Sequence, residues 1–146
     1  MKPKGTPKEK YILMIELGER VKSEPTAFGK LLFIENEISC SIVATLHTIA
    51  VYVFNEEYKF KFDTTKDKLP ELGKLIEILK PHIKQSIELK NSLEKFKGLR
   101  NDITHNMLSK YRNISELDTD SVLAVIWGDK VLKLLNDFRA QTRDVK

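Results

Sequence analysis

The chain has 146 residues, with 25 Lys+Arg against 21 Asp+Glu, a formal net charge of +4 and a single cysteine. That length holds one domain of ordinary size, and 41% hydrophobic residues are enough for a real core. Cys40 alone excludes an intrachain disulfide framework and a thiolate metal cluster, and His47, His82 and His105 lie too far apart for paired metal-ligand spacing. A reduced, cytoplasmic, mildly basic domain without metal or cofactor is the expectation.

The lysine-rich start, 1–7, reads as a mobile basic tail, and the apolar run Tyr11–Ile15 behind it is too short for a signal-peptide core. Thr6-Pro7 suits a cap and first helical position, opening a helix over Lys8–Lys22. Thr26 then caps a long helix to Glu56. Its apolar residues Phe28, Leu31, Leu32, Ile38, Ile42, Leu46, Ile49 and Val53 recur mostly at three and four. Within it, Ile38 to Phe54 carries no Asp, Glu, Lys or Arg over 17 residues. A membrane span needs about 20 predominantly apolar residues, whereas this run contains Ser39, Ser41, Thr45, His47 and Thr48. It is expected inside a bundle or a subunit interface, with His47 satisfied there.

Tyr58 to Asp63 alternates aromatic with charged residues, the period of a short extended segment or edge strand. Its aromatic residues anchor a loop while Lys59 and Lys61 stay solvated; the alternative is a base-stacking strip. Pro70–Leu79 forms a short helix stopped by Pro81. The next helix is placed over His82–Asn106, with His82 at its start. The last runs over Asp120–Arg139, capped by Thr119, with Val122, Val125, Ile126, Val131, Leu132, Leu135 and Phe138 as its apolar face. The architecture is one all-α domain over 1–146: an up-and-down four-helix bundle with one short extra helix.

On a wheel at about 100° per residue with Arg100 at zero, Leu99, Ile103, Phe96, Leu89, Met107 and Leu93 fall within about 260° to 20°. Thr104, Lys97, Asn101 and His105 follow at about 40°, 60°, 100° and 140°. Arg100 therefore stands inside the apolar arc, at its border with a polar stripe. A guanidinium there needs a carboxylate or a phosphate. Glu35 and Glu37 interrupt the apolar face of the central helix and are the internal candidates, one of them orienting Arg100; His105 would then only favour the helix-end dipole.

These groups also suit chemistry. Arginine offers a planar fork of donors to a phosphodiester, histidine exchanges a proton near neutral pH, and Asn101 stands four residues before His105 to orient it or the phosphate. Together they suffice for RNA cleavage without metal. The ribose 2′-hydroxyl is the nucleophile, His105 moves the proton and Arg100 stabilises the phosphorane. Lys90, Lys95, Lys97 and Arg100 against Glu94 give residues 90–100 a net +3 (four minus one), favouring an anionic ligand and making Lys97 a candidate RNA contact.

Arg100-Asn101-Asp102-Ile103-Thr104-His105 resembles the R-polar-x-x-x-H motif of the HEPN superfamily, in a chain of similar length and helical layout. The resemblance implies a HEPN-type bundle that homodimerises with two motifs facing across one cleft. In many members that cleft is a metal-independent endoribonuclease site, in toxin–antitoxin, abortive-infection and CRISPR-associated systems. By position, Arg100 and His105 would be catalytic and Asn101 the supporting residue, with Thr104 beside them. HEPN toxins paired with nucleotidyltransferase-like antitoxins often carry a tyrosine two residues after the histidine; Met107 stands there instead. The implied partners are RNA, a second copy, and an antitoxin or defence-system protein. The alternatives are a non-catalytic HEPN-like module binding RNA, nucleotide or protein, recognised by Arg100 closed in a salt bridge away from any cleft, and a helical antitoxin or adaptor.

Overall fold

A computed structural model describes residues 27–56, 59, 60 and 71–144, together with Ile12. The basic start 1–7, the Lys8–Lys22 helix apart from Ile12, the Thr26 cap and most of Tyr58–Lys68 lie outside the described residues. Within them the chain is all-helical: α1 (Ala27–Tyr52), α2 (Leu72–Leu79), α3 (Ile87–His105), the single turn α4 (Met107–Lys110) and α5 (Ile114–Asp144). Lys59 and Phe60 form a bend rather than a strand. Phe60 packs edge-on against His82 at 5.0 Å while Lys59 is exposed, so local aromatic packing sets this segment instead of sheet pairing.

The three long helices alternate in direction. Phe28 N–H donates to Asp118 Oδ1 at 3.0 Å, Ile34 faces Gly128, and Arg139 donates to the Ser41 carbonyl at 2.9 Å. Both members of these pairs climb together, so α1 and α5 run parallel. Glu88 meets Lys130 at 3.4 Å and Phe96 meets Gly128, so α3 runs opposite to α5. The core lies between them, with Leu31, Ile38, Ile42, Leu46, Phe96, Leu93, Val131 and Leu135 fully buried.

The uncharged stretch of α1 satisfies its own hydroxyls. Ser39, Thr45 and Thr48 donate to the carbonyls of Glu35, Ser41 and Ala44, each four residues back. No helix among the described residues is long and apolar enough to cross a membrane. His47 is exposed in the single chain rather than buried in its core, because it points away from the Leu46–Ile49 face. The helix stops at Tyr52, short of Glu56. Asn55 adopts the left-handed conformation at φ 52°, and Glu56 N–H closes back on the Ala50 carbonyl at 2.8 Å.

Two further boundaries differ from the sequence reading. Pro81 sits in a 3-10 turn, Lys80–His82, and Ile83 leaves helical geometry (φ −123°, ψ 23°) while burying its side chain. α3 therefore starts at Ile87, and His82 belongs to the turn before it. α5 starts at Ile114, because Asn113 rather than Thr119 caps it. Asn113 Oδ1 accepts the Glu116 N–H at 3.0 Å, and Glu116 returns to the Arg112 N–H at 2.8 Å. Thr119 lies inside the helix, its hydroxyl on the Ser115 carbonyl. Asn113→Ala is expected to lower stability by about 1 kcal/mol, read as a lower urea midpoint at unchanged m, with Asn113→Asp retaining most of it.

The buried face of α5 also differs. Val122 and Ile126 are exposed, whereas Leu117, Ser121, Ala124, Gly128, Val131 and Leu135 form the buried stripe. Small residues win those positions because α1 and α3 approach closely there: a Cβ on Gly128 would stand 2.4 Å from Ile34 Cγ2.

Candidate active site

Arg100 lies on α3 one turn past the fully buried Phe96, and its side chain is 29% exposed. Its Nη2 meets Glu35 Oε1 of α1 at 2.7 Å, and its Nη1 donates to Asn101 Oδ1 at 2.9 Å. Nε is buried without a hydrogen-bond partner. The border position read from the wheel is thus satisfied by a carboxylate, and that carboxylate is Glu35. Asn101 orients the fork from its own helix.

Thr104 donates to the Arg100 carbonyl at 3.0 Å, so its hydroxyl proton is committed to the backbone. His105 ends α3, is exposed, and makes no hydrogen bond or ion pair among the described residues. Five residues separate it from Arg100, which on an ideal helix is a rise of roughly 7.5 Å and a turn of about 140°. Arg100 faces α1 while His105 faces solvent. Burial, and then the charge of Glu37, push the Cys40 thiol up.

Charge around the motif is more balanced than its own helix suggests. Lys97 lies 3.8 Å from Glu77 of α2, Arg100 is on Glu35, and Glu94 pairs with Lys80. The local +3 of residues 90–100 counts neither Glu35 and Glu77 nor Lys80, which arrive from outside that segment and bring it to +2 (three minus two plus one). Lys90 and Lys95 stay exposed.

A second cluster, not singled out by the sequence reading, fixes the end of the motif helix. Asn106 Nδ2 donates to Asp102 Oδ1 at 2.9 Å, Lys110 pairs with Asp102 and lies 3.5 Å from Asp120, and Tyr111 donates to Asp120 at 2.8 Å. The only advance signal was the four-residue spacing of Asp102 and Asn106. Hydrogen bonds from Lys110 and then Asn106 hold the Asp102 carboxyl below its ordinary 3.8. A carboxyl depressed by folding contributes stability above the unfolded value and loses it as pH falls through the folded one. Asp102→Asn is therefore expected to flatten the fall of the melting midpoint below pH 3.8 and to leave the neutral-pH slope unchanged.

Two clefts of about 670 and 440 Å³ lie at the opposite end of α3, around His82, Ser86, Phe138 and Gln141 in the larger and Glu88 and Leu134 in the smaller. Neither includes Arg100 or His105. Along α3, Ser86 and Arg100 are roughly 21 Å apart. No group of three or more His, Cys, Asp or Glu positioned for a metal ion occurs among the described residues.

Compared with protein-family models, curated proteins and solved structures, the chain matches none.

Proposed function

We propose that this protein is a metal-independent endoribonuclease of HEPN type whose site is completed across a homodimer. The observation that carries it is the Glu35–Arg100–Asn101 clamp at the edge of a solvent-facing His105 on one helix. Arg100 is held in place by Glu35 and Asn101 while 29% of its side chain stays exposed. His105 is unencumbered and accessible.

The reaction these groups suit is transesterification. The ribose 2′-oxygen attacks phosphorus as its proton passes to one His105 imidazole. The P–O5′ bond breaks, and the 5′-oxygen takes a proton from a histidine acting as acid. The products are a 2′,3′-cyclic phosphate and a 5′-hydroxyl, with no redox change and no water consumed. Arg100 offsets the charge that builds on the non-bridging oxygens. The divergence of Arg100 and His105 in one copy supports a two-copy site, where one His105 serves as base and the other as acid.

Incubation with mixed RNA in EDTA tests this. Cleavage leaving cyclic-phosphate ends, lost in Arg100→Ala and His105→Ala, is the expected result. An intact RNA pool, or equal cleavage by both variants, overturns it.

One observation favours a second reading, a non-catalytic HEPN-like RNA-, nucleotide- or protein-binding module. Arg100 is already neutralised by Glu35 at 2.7 Å and lines neither cleft described above. RNA that binds and survives intact identifies that module. An antitoxin or defence-system protein is the proposed partner under either reading.

A further inference from the structure

Val122, Leu123 and Ile126 are 49%, 46% and 59% exposed on the side of α5 turned away from the core. They are part of a longer stripe. Glu116, Thr119, Leu123, Ile126, Lys130 and Lys133 recur at alternating steps of three and four, the spacing of a helix seam that packs against another helix. The buried stripe, Leu117 to Leu135, already occupies the opposite side of the same helix. The outward seam is apolar only at its centre. Its amino-terminal end carries Glu116, and its carboxy-terminal end carries exposed Lys133 and exposed Lys130, the latter 3.4 Å from Glu88 of its own chain.

That pattern selects its partner. Two copies of α5 laid parallel would place Lys130 on Lys130, Lys133 on Lys133 and Glu116 on Glu116. Laid antiparallel about a two-fold axis between Leu123 and Ile126, the same stripe becomes complementary to itself. Leu123 of one protomer meets Ile126 of the other, Thr119 meets Lys130, and Glu116 meets Lys133. Glu116 keeps its intrachain bond to the highly exposed Arg112, so the outer contact is an addition to an existing pair. Opposed unlike charges set the orientation, and the three apolar residues supply the attraction.

We propose that the outward face of α5 is a self-association surface on which a second copy of this chain docks antiparallel, centred on Leu123 and Ile126. The surface is built from α5 alone, whereas Arg100 and His105 belong to α3. It is thus distinct from the cleft proposed for RNA and stands whether or not RNA is cleaved. Three exposed apolar side chains per copy make a small interface, so the association is weak and salt-sensitive.

Sedimentation velocity of the full chain over a range of concentrations tests it, with RNA cleavage measured in parallel. Ile126→Lys is expected to remove one concentration-dependent association step. Thr119→Glu, which sets a carboxylate opposite Lys130, is expected to strengthen that step by about threefold to tenfold at low salt, since two symmetry-related pairs form. Thr119→Lys is expected to weaken it. A wild-type chain with no such step, Ile126→Lys that still associates normally, or Thr119→Glu that weakens the step overturns the proposal. Circular dichroism shows that each variant remains helical. Loss of cleavage in the Arg100 and His105 variants bears only on the RNA site, and the α5 variants bear only on this surface.

Discussion

His105→Ala is expected to lower RNA cleavage by about two to four orders of magnitude, the range for removing a general acid–base group. Its melting midpoint should stay within about 2 °C of wild type, because exposed substitutions rarely exceed roughly 0.5 kcal/mol. The imidazole is solvent-facing and makes no bond among the described residues, so folding has nothing to lose there. Arg100→Ala differs. It removes the Glu35 ion pair and the Asn101 bond together, leaving a Glu35 side chain only 18% exposed without its cation. A loss of about 1 to 3 kcal/mol follows from unpairing a charged hydrogen bond, together with a cleavage defect of about 10² to 10³ for one lost oxyanion donor. The two variants therefore separate chemistry from structure. Equal falls in melting midpoint for both, with cleavage intact in His105→Ala, would remove His105 from the mechanism.

Glu35 has a positioning role in this account, since it reaches any substrate only through Arg100. Glu35→Gln retains a hydrogen-bond acceptor for the guanidinium while removing the negative charge. RNA then competes with a weaker internal partner, so tighter RNA binding with slower cleavage is the signature of a carboxylate that orients Arg100. Unchanged binding and unchanged cleavage would make the pair purely structural.

The sequence exposed much of this site and less of the packing around it. Arg100 inside an apolar arc was enough to require a carboxylate or a phosphate, with Glu35 and Glu37 as the internal candidates. Only the fold chooses Glu35 over Glu37, because two residues on a helix turn the side chain by about 200°. The local charge of the motif helix was misleading for a related reason. Glu77 reaches Lys97 from α2, and such tertiary neutralisation leaves no trace in a count over consecutive residues.

The α5 face shows the limit of hydrophobic periodicity. Val122 and Ile126 carry the larger hydrophobic signal, yet Ser121, Ala124 and Gly128 are buried. Where helix backbones come close, small residues fit and branched ones do not. A pattern of large apolar residues cannot register that. The missed α5 start has a different origin. Asn113-x-x-Glu116 is a capping arrangement that lay ahead of the apolar repeat, so Thr119, nearer to it, was the more visible candidate.

Gly128→Ala is expected to destabilise by about 1 to 3 kcal/mol, the usual range for overpacking a filled core. At roughly 3 °C per kcal/mol for a chain of this size, the melting midpoint falls by about 3 to 9 °C. Helix propensity alone predicts the opposite sign, a gain of up to about 1 kcal/mol for glycine to alanine. Packing decides the sign. The new Cβ would lie 2.4 Å from Ile34 Cγ2 and 3.0 Å from Phe96 Cε1, and the Ile34 methyl is fixed to a β-branched carbon that cannot swing away. Gly98 is the internal control: a Cβ there meets nothing within 4 Å, so Gly98→Ala should raise stability on the same scale. Ile34→Ala removes the obstructing methyl. The double variant Gly128→Ala/Ile34→Ala should consequently be more stable than the sum of the single losses predicts, a coupling readable in a double-mutant cycle. The same contact reaches the site. Ile34 precedes Glu35, and Phe96 lies one turn before Arg100. The close approach at Gly128 therefore holds α1 and α3 at the separation over which Glu35 grips the guanidinium at 2.7 Å. Gly128→Ala should weaken that grip and lower cleavage at a temperature where the variant is still fully folded, whereas Gly98→Ala should not. A Gly128→Ala protein with an unchanged midpoint would show that α5 can withdraw without loss, and that the small-residue stripe does not set the spacing.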